Sequence, residues 1–308
     1  MKKQTTGIHH ISAIVGHPQE NVDFYAGVLG LRLVKKTINF DDPGTYHFYF
    51  GTEGGKPGSI ITFFPWPNAY RGKIGDGQVG ITQYAVPVGA LQFWEERLTK
   101  FDVEYVVTER FGETYFQFDD PHGLHLEIVE REEGELNPWE FGGVTKDVAI
   151  KGFGGAVLYS SRPEETAATL VDIMGLELVG TEGDYTRFQA TADIGNIIDL
   201  KMTTSGLGTM GVGTVHHIAW RAKDVEDHLE WHQHVQSKGM YVTDVKDRNY
   251  FNAIYFRETG RILFEIATDP PGFAVDEPYE LMGSGLMLPP QYEDLRNRLE
   301  NSLIPIEV

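Results

Sequence analysis

The amino-acid sequence predicts an α+β fold: four successive βαβββ modules followed by a C-terminal tail. Three observations carry the prediction. A strand–helix–strand–strand–strand pattern about 60 residues long recurs four times along 308 residues. The first and third helices end in matched steps, Leu29-Gly30-Leu31 and Met174-Gly175-Leu176, with glycine where a helix C-cap needs it. Hydrophobic residues make up 41% and charged residues 23%, a globular profile that excludes disorder.

The first module opens on Gly7-Ile8-His9-His10-Ile11-Ser12-Ala13-Ile14-Val15, which alternates as a strand does. His17-Pro18-Gln19-Glu20-Asn21 then starts a helix, with Pro18 in its first turn. Strands follow at 31–37, 46–50 and 59–64. The second module has strands at 80–86, 103–109, 113–118 and 124–129 around a helix at 88–101. The third has strands at 154–160, 176–180, 185–190 and 197–202, and its helix opens Arg162-Pro163-Glu164-Glu165. The fourth has strands at 214–221, 241–246, 251–256 and 262–267, and a helix at 225–238 stopped by Gly239. Two polar stretches read as linkers, 131–147 and 203–213. The tail is rich in Pro and Gly and turns helical in pattern over 291–301, where it is expected to pack on the barrel or on a partner.

Composition narrows the function. There is no cysteine, which excludes disulfides, thiolate metal sites and a thiol nucleophile. Charge is 26 − 45 = −19, so nucleic acid and anionic membranes are poor partners. No run approaches the ~20 apolar residues of a membrane helix, and the start lacks a signal-peptide pattern. A cytoplasmic protein is the expectation. A homo-oligomer is compatible with the sequence.

With cysteine absent, chemistry rests on histidine and carboxylate. A His-His pair recurs at the same place in two modules: His9-His10-Ile11 in the first and His216-His217-Ile218 in the fourth. Strand alternation sends one histidine of each pair to each face. Glu265 sits between Phe264 and Ile266 in an apolar strand, where a carboxylate is costly unless paired or metal-bound. Two imidazoles and one carboxylate with open positions form the triad of non-haem Fe(II) oxygenases, and the same set holds catalytic Zn(II). The other modules offer no second triad. Glu127 lies at the register of Glu265, but its module opens Ile81-Thr82-Gln83 without histidine. Glu127, His122 and His125 therefore read as remnants or surface groups. The first module places Phe63-Phe64 where a carboxylate would be needed.

The fourfold repeat, the His-His-Ile openings and the closing Leu263-Phe264-Glu265-Ile266-Ala267-Thr268-Asp269 resemble the vicinal oxygen chelate superfamily of glyoxalase I, bleomycin-resistance proteins and extradiol dioxygenases. With Phe40-Asp41-Asp42-Pro43-Gly44-Thr45-Tyr46-His47 and Asp247-Arg248-Asn249-Tyr250-Phe251, the chain is most similar to bacterial ring-cleaving dioxygenases of the hydroquinone type. The resemblance implies two open-barrel domains, residues 7–131 and 151–269, with a tail at 270–308. It implies a metal on His10, His217 and Glu265, so that modules one and four share one cup while modules two and three form a second, empty one. The metal would be Fe(II), which Zn(II) or Mn(II) could replace in purified protein. His9, His216, Arg248 and Tyr255 would act beside it on a small aromatic diol and O2, and Ser12 shares the strand face of His10. The implied activity is oxidative ring opening of hydroquinones or catechols, in degradation or detoxification of aromatic compounds. Two rivals stand beside it. A glyoxalase-like isomerase or lyase would need a fourth protein ligand, and a non-catalytic binding module of the bleomycin-resistance kind needs neither four modules nor a triad.

Overall fold

The computed structural model describes residues 3–308. Module one comprises strands β1 (Ile8–Val15), β2 (Arg32–Asn39), β3 (Asp42–Gly51) and β4 (Ile60–Pro65), with helix α1 (Pro18–Val22) running into a π-helical turn, Asp23–Val28. Module two comprises β5 (Gln78–Val86), α2 (Leu91–Lys100), β6 (Tyr105–Arg110), β7 (Glu113–Asp119) and β8 (His125–Glu130). Module three comprises β9 (Gly152–Tyr159), α3 (Pro163–Ala168), β10 (Glu177–Glu182), β11 (Tyr185–Gln189) and β12 (Ile197–Lys201). Module four comprises β13 (Thr214–Ala222), α4 (Val225–Ser237), β14 (Lys246–Asp247), β15 (Asn252–Arg257) and β16 (Leu263–Thr268). The tail ends in α5 (Arg296–Ser302).

The helices stop where the glycines stand. Gly30 and Gly239 hold left-handed backbone at φ 71° and 81°, a conformation other residues resist. At Gly30 a Cβ would also meet Val144 at 2.7 Å. The strand expected at 241–246 is reduced to the two residues of β14. Here the Thr243 hydroxyl, not a main-chain carbonyl, accepts the Tyr255 N–H at 3.1 Å, so the ladder breaks.

Two eight-stranded sheets result, and neither is built from one half of the chain. The first runs β14-β15-β16-β13-β1-β4-β3-β2 and joins modules four and one. The second runs β10-β11-β12-β9-β5-β8-β7-β6 and joins modules three and two. Within each module the first strand pairs parallel with the last, and the modules meet through antiparallel β1–β13 and β5–β9. The central strands β1 and β5 are buried at every position, as strands covered on both faces must be. The 203–213 linker bridges back to residues 71–76, where Asp76 accepts the N–H groups of Ser205 and Gly206.

Alternation divides β16 between two environments. Phe264 and Ile266 enter the main core with Trp220, Trp231 and Ile254. Ala267 faces a smaller cluster with Val34, Tyr49, Phe251 and Phe273, on the face that carries the histidines. The tail packs on the barrel, over β2. Buried Lys35 donates to Asp276 and Glu277, both at 2.6 Å, and Arg32 donates to the Tyr279 carbonyl at 2.7 Å. Further on, Leu299 and Leu303 pack against Ile38, and the Tyr292 hydroxyl donates to the Phe40 carbonyl at 2.8 Å. The tail thereby braces the turn between β2 and β3.

Candidate metal centre and active site

His10 on β1, His217 on β13 and Glu265 on β16 converge in the first sheet, buried and within ligand reach of one another. His10 Nε2 lies 3.3 Å from His217 Nε2 and 3.4 Å from Glu265 Oε2, and His217 Nε2 lies 2.8 Å from the same oxygen. Bond lengths of about 2.0–2.2 Å put adjacent ligand atoms about 3 Å apart when they subtend a right angle. The triangle has that size. The His217–Glu265 approach is out of line for a hydrogen bond, so both Glu265 carboxylate oxygens are buried without a donor. Leaving a buried carboxylate so is costly, and a cation between the three groups removes the cost. The residues fit a divalent metal.

The hydrogen-bond network fixes which nitrogen of His10 is free. The Thr268 carbonyl can only accept, so His9 Nε2, 3.1 Å away, carries the proton. Burial holds the His9 pKa well below its ordinary value, and the neighbouring His10 adds to this, so His9 is neutral and its Nδ1 accepts. His10 Nδ1, at 2.9 Å, must then be the donor, which leaves Nε2 a bare lone pair aimed at the cup. His216 stands to His217 in the same way, Nδ1 to Nδ1 at 2.7 Å. For His217 to ligate through Nε2 its Nδ1 must donate, and His216 then keeps its own proton on Nε2. Burial, with His217 beside it, pushes the His216 pKa down to about 3.

Strand alternation alone places His9 and His216 on the face away from the triad, and the structure corrects this. The β1–β13 register shifts between Ile8 and His10, and again where Ser12–Ala13 faces His217–Val215. His9 falls in the first irregularity and His216 in the second. A bulge turns its residue out of strict alternation, so each side chain meets its neighbour.

A cavity of about 330 Å³ opens on the triad, at the small end for a ligand pocket. His10, Ser12, Asp41, His47, Tyr49, Phe64, Trp66, His216, Arg248, Phe251 and Tyr255 are among the residues that line it. Phe64 and Trp66 stack with centroids 5.7 Å apart and wall one side. Arg248 donates to the Tyr255 hydroxyl at 3.2 Å and to Asp41 at 3.0 Å. Burial, reinforced by Glu265, raises the Tyr255 pKa well above its ordinary value. Tyr255 therefore stays protonated, accepts from Arg248 and keeps its own O–H to donate. A larger groove of about 1380 Å³ lies between α1 and β6, but none of these residues reaches it.

Register assigns the four modules one equivalent position each. Glu265 lies opposite Ala219, two residues past His217. The matching residues are Thr62 opposite Ser12, Glu127 opposite Gln83, and Asp199 opposite Val157. The first cup therefore holds Glu265 and Thr62, and the place assigned above to Phe63-Phe64 belongs to Thr62. The second cup holds Glu127 and Asp199, with Ile81 and Gly155 where the ligand histidines would be. Arg110 fills it, donating to Glu127 Oε1 at 3.0 Å and to Asp199 Oδ2 at 2.9 Å. Arg187 donates to Asp199 Oδ1 at 2.7 Å. Glu127 is not a surface group: it is fully buried in this ionic cluster. His122 is buried as well, while His125 pairs with Asp119 near the surface. Sequence reading also passed over His47 and Thr62 as site residues, although aligning the last strands of the four modules would have exposed Thr62.

Paired βαβββ modules curled around one His-His-Glu cup define a metal-cup protein of the vicinal oxygen chelate class. The chain belongs to the Glyoxalase/Bleomycin resistance protein/Dioxygenase superfamily, which it matches over residues 7–128 and 152–276. It is 70% identical to "Putative ring-cleaving dioxygenase MhqO" of Bacillus subtilis (strain 168), over all of this chain and 99% of that one. It is 36% identical to the chlorohydroquinone/hydroquinone 1,2-dioxygenase of Sphingobium indicum, over 97% of this chain and 96% of that one. A solved structure from Bacillus subtilis subsp. subtilis str. 168 superposes with TM-score 0.99 at 70% identity, covering 99% of both chains. Glyoxalase I from Zea mays shares the fold at TM-score 0.62 and 13% identity, over 85% of this chain and 92% of that one.

Proposed function

We propose that this protein is a ring-cleaving dioxygenase that opens hydroquinone-type rings with O2, using Fe(II) held by His10, His217 and Glu265. The observation that carries the reading is the three-ligand cup with Thr62 at its fourth register position. A glyoxalase-type site normally calls on a fourth protein ligand, and Thr62 supplies neither carboxylate nor imidazole. The relatives named for ring cleavage point the same way.

When bound, the metal supplies Lewis acidity toward a substrate hydroxyl and a one-electron path to O2. The protein's residues do the rest. A hydroquinone carries its hydroxyls on opposite sides of the ring, so one stays far from the metal and needs partners of its own. Arg248, fixed by Asp41 and Tyr255, offers a cation to a developing phenolate. Tyr255 O–H and His216 Nε2–H are proton donors at the pocket wall. Phe64 and Trp66 exclude water and stack on a flat ring. His9 holds His10 in the ligating tautomer. The reading further takes the protein to be cytoplasmic and to act in the degradation or detoxification of aromatic compounds. Among the described residues no helix is long and apolar enough to cross a membrane.

The test is oxygen consumption by anaerobically purified protein reloaded with Fe(II), across hydroquinones and catechols, with Glu265→Ala as the metal-site control. Uptake with hydroquinones, lost together with bound metal in Glu265→Ala, is the expected result. Brisk turnover of catechols alone would reject the hydroquinone assignment. Isomerase activity on a thiol adduct without oxygen uptake would move the protein to the glyoxalase reading.

A further inference from the structure

Among the described residues lining the cavity there is one arginine, Arg248, and no lysine; the carboxylates are Asp41, Asp42 and Glu265. Glu265 belongs to the triad. At the mouth Arg248 Nη2 donates to Asp41 at 3.0 Å, while its Nε donates inward to the Tyr255 hydroxyl at 3.2 Å. The pair is layered, because the Asp41 side chain is 70% exposed and that of Arg248 only 17%. The carboxylate is outermost and the guanidinium lies within. Asp42 adds a second carboxylate, accepting from Trp66 Nε1 at 3.1 Å and from the Thr45 hydroxyl at 2.9 Å. The turns that carry the ion pair come from opposite ends of the first sheet, β2–β3 and β14–β15. Both are tied to the tail. The Tyr292 hydroxyl holds the Phe40 carbonyl, and Asp276 accepts from the Tyr250 hydroxyl at 2.9 Å and from Lys35 at 2.6 Å. The ion pair therefore has a fixed place over the cup.

We propose that Asp41 is a specificity-determining residue: its charge, set over Arg248 at the mouth, restricts the site to uncharged phenolic rings and turns away rings that carry a carboxylate. The inference rests on the ring-cleaving reading for the placing of the ring. A hydroquinone with one hydroxyl at the triad directs its far end to the mouth. A protonated hydroxyl there meets an ion pair with no net charge, and its oxygen can accept from the guanidinium. A carboxylate at the same place finds no free cation, since Arg248 is committed to Asp41. It also stands against the like charges of Asp41 and Asp42, a juxtaposition that suppresses wrong ligands. Taking it out of water unpaired is costly. The anion that the reaction does need arises only after the ring is seated, deeper than Asp41 and nearer the guanidinium. Asp41 acts by its charge and through Arg248, not on the reacting atoms.

The test compares two ligands of one shape, 2,5-dihydroxyphenylacetate and its uncharged amide. Their dissociation constants are measured by ligand-observed NMR on Zn(II)-loaded protein, and kcat/KM by oxygen uptake on the Fe(II) enzyme. The metal's own attraction for a carboxylate is common to all variants and cancels when acid-to-amide ratios are compared. Asp41→Asn keeps the size of the side chain on an exposed turn, so the fold is preserved. Its acid-to-amide affinity ratio should shift about tenfold toward the acid, between the effect of one nearby charge in water and at a protein surface. Adding Arg248→Leu should give back most of that gain, because the freed cation is then gone. An unchanged ratio in Asp41→Asn, or a change shared equally by acid and amide, overturns the charge filter. Absence of oxygen uptake with hydroquinone itself overturns the ring-cleaving reading, whereas the ratio on the zinc protein decides the filter separately.

Discussion

Replacing His9 by leucine should weaken metal binding without removing a ligand. The wild-type chain of constraint runs from the Thr268 carbonyl through both nitrogens of His9 to His10 Nδ1. Without His9, His10 Nδ1 has no acceptor and the proton is free to move to Nε2. There it can donate to His217 Nε2 at 3.3 Å, beside the buried Glu265 carboxylate at 3.4 Å. A hydrogen bond is worth about 0.5–1.5 kcal/mol, and the adjacent charge favours the high end. Metal must break that bond to bind, so affinity should fall about tenfold. This matches the 10- to 100-fold typical for residues that orient a metal-ligating histidine. The assay is chelator competition with Zn(II) or Mn(II), which avoids iron oxidation, alongside circular dichroism to confirm the fold. His9→Gln, whose amide both donates and accepts, should recover most of the loss. Unchanged affinity in His9→Leu would refute the tautomer argument.

Three further outcomes follow from the structure. Arg248→Leu should lower turnover while leaving metal content near the wild type, read by oxygen uptake beside elemental analysis, because Arg248 reaches Tyr255 and Asp41 and no ligand. Arg110→Leu should cost about 3–5 kcal/mol in urea unfolding, since it leaves buried Glu127 without a cation and Asp199 with Arg187 alone; metal affinity should not change. Metal-free protein should lose stability as pH falls below about 6.5, the unfolded histidine value. His9, His47 and His216 have folded values depressed by burial, so the unfolded chain binds more protons in that window and acid favours it. Asp120, raised to about 6 by burial, and Glu258, also raised by burial, act in the opposite sense, but His122, His217 and His228 are depressed as well and add to the acid effect. Thermal melts between pH 7 and 5 check the sign.

Much of the site was legible because it is written locally and twice. A His-His pair at one position in two modules, and a lone glutamate in an apolar strand, need no tertiary knowledge to stand out. The sharing of one cup by the first and last modules came from resemblance. It follows physically from β1 pairing with β13. The aim of His9 and His216 was not legible, because the bulges arise from register between strands some 200 residues apart. The ionic cluster was hidden for a similar reason. Arg110, Glu127, Arg187 and Asp199 sit on four strands from two modules and look like ordinary surface charges in sequence. β14 was overestimated because a side-chain hydroxyl took the place of a ladder carbonyl, which no periodicity reveals.

The pairing of the first strand with the thirteenth also sets an order of events during synthesis. His10 leaves the ribosome early, and its partner His217 follows 207 residues later. At about 5–20 residues per second the interval is roughly 10–40 s, and Glu265 comes later still. During that time β1 lacks its antiparallel neighbour, and the nascent first module holds one histidine of a three-ligand set. A chain released early therefore carries no complete cup in which a divalent ion could settle. Modules two and three are consecutive in the chain and close on each other through β5 and β9, joined by residues 131–151, and Arg110 supplies their cation from within the chain. The half of the molecule that folds without metal is thus finished first, and it can serve as the platform on which the metal-binding half is assembled.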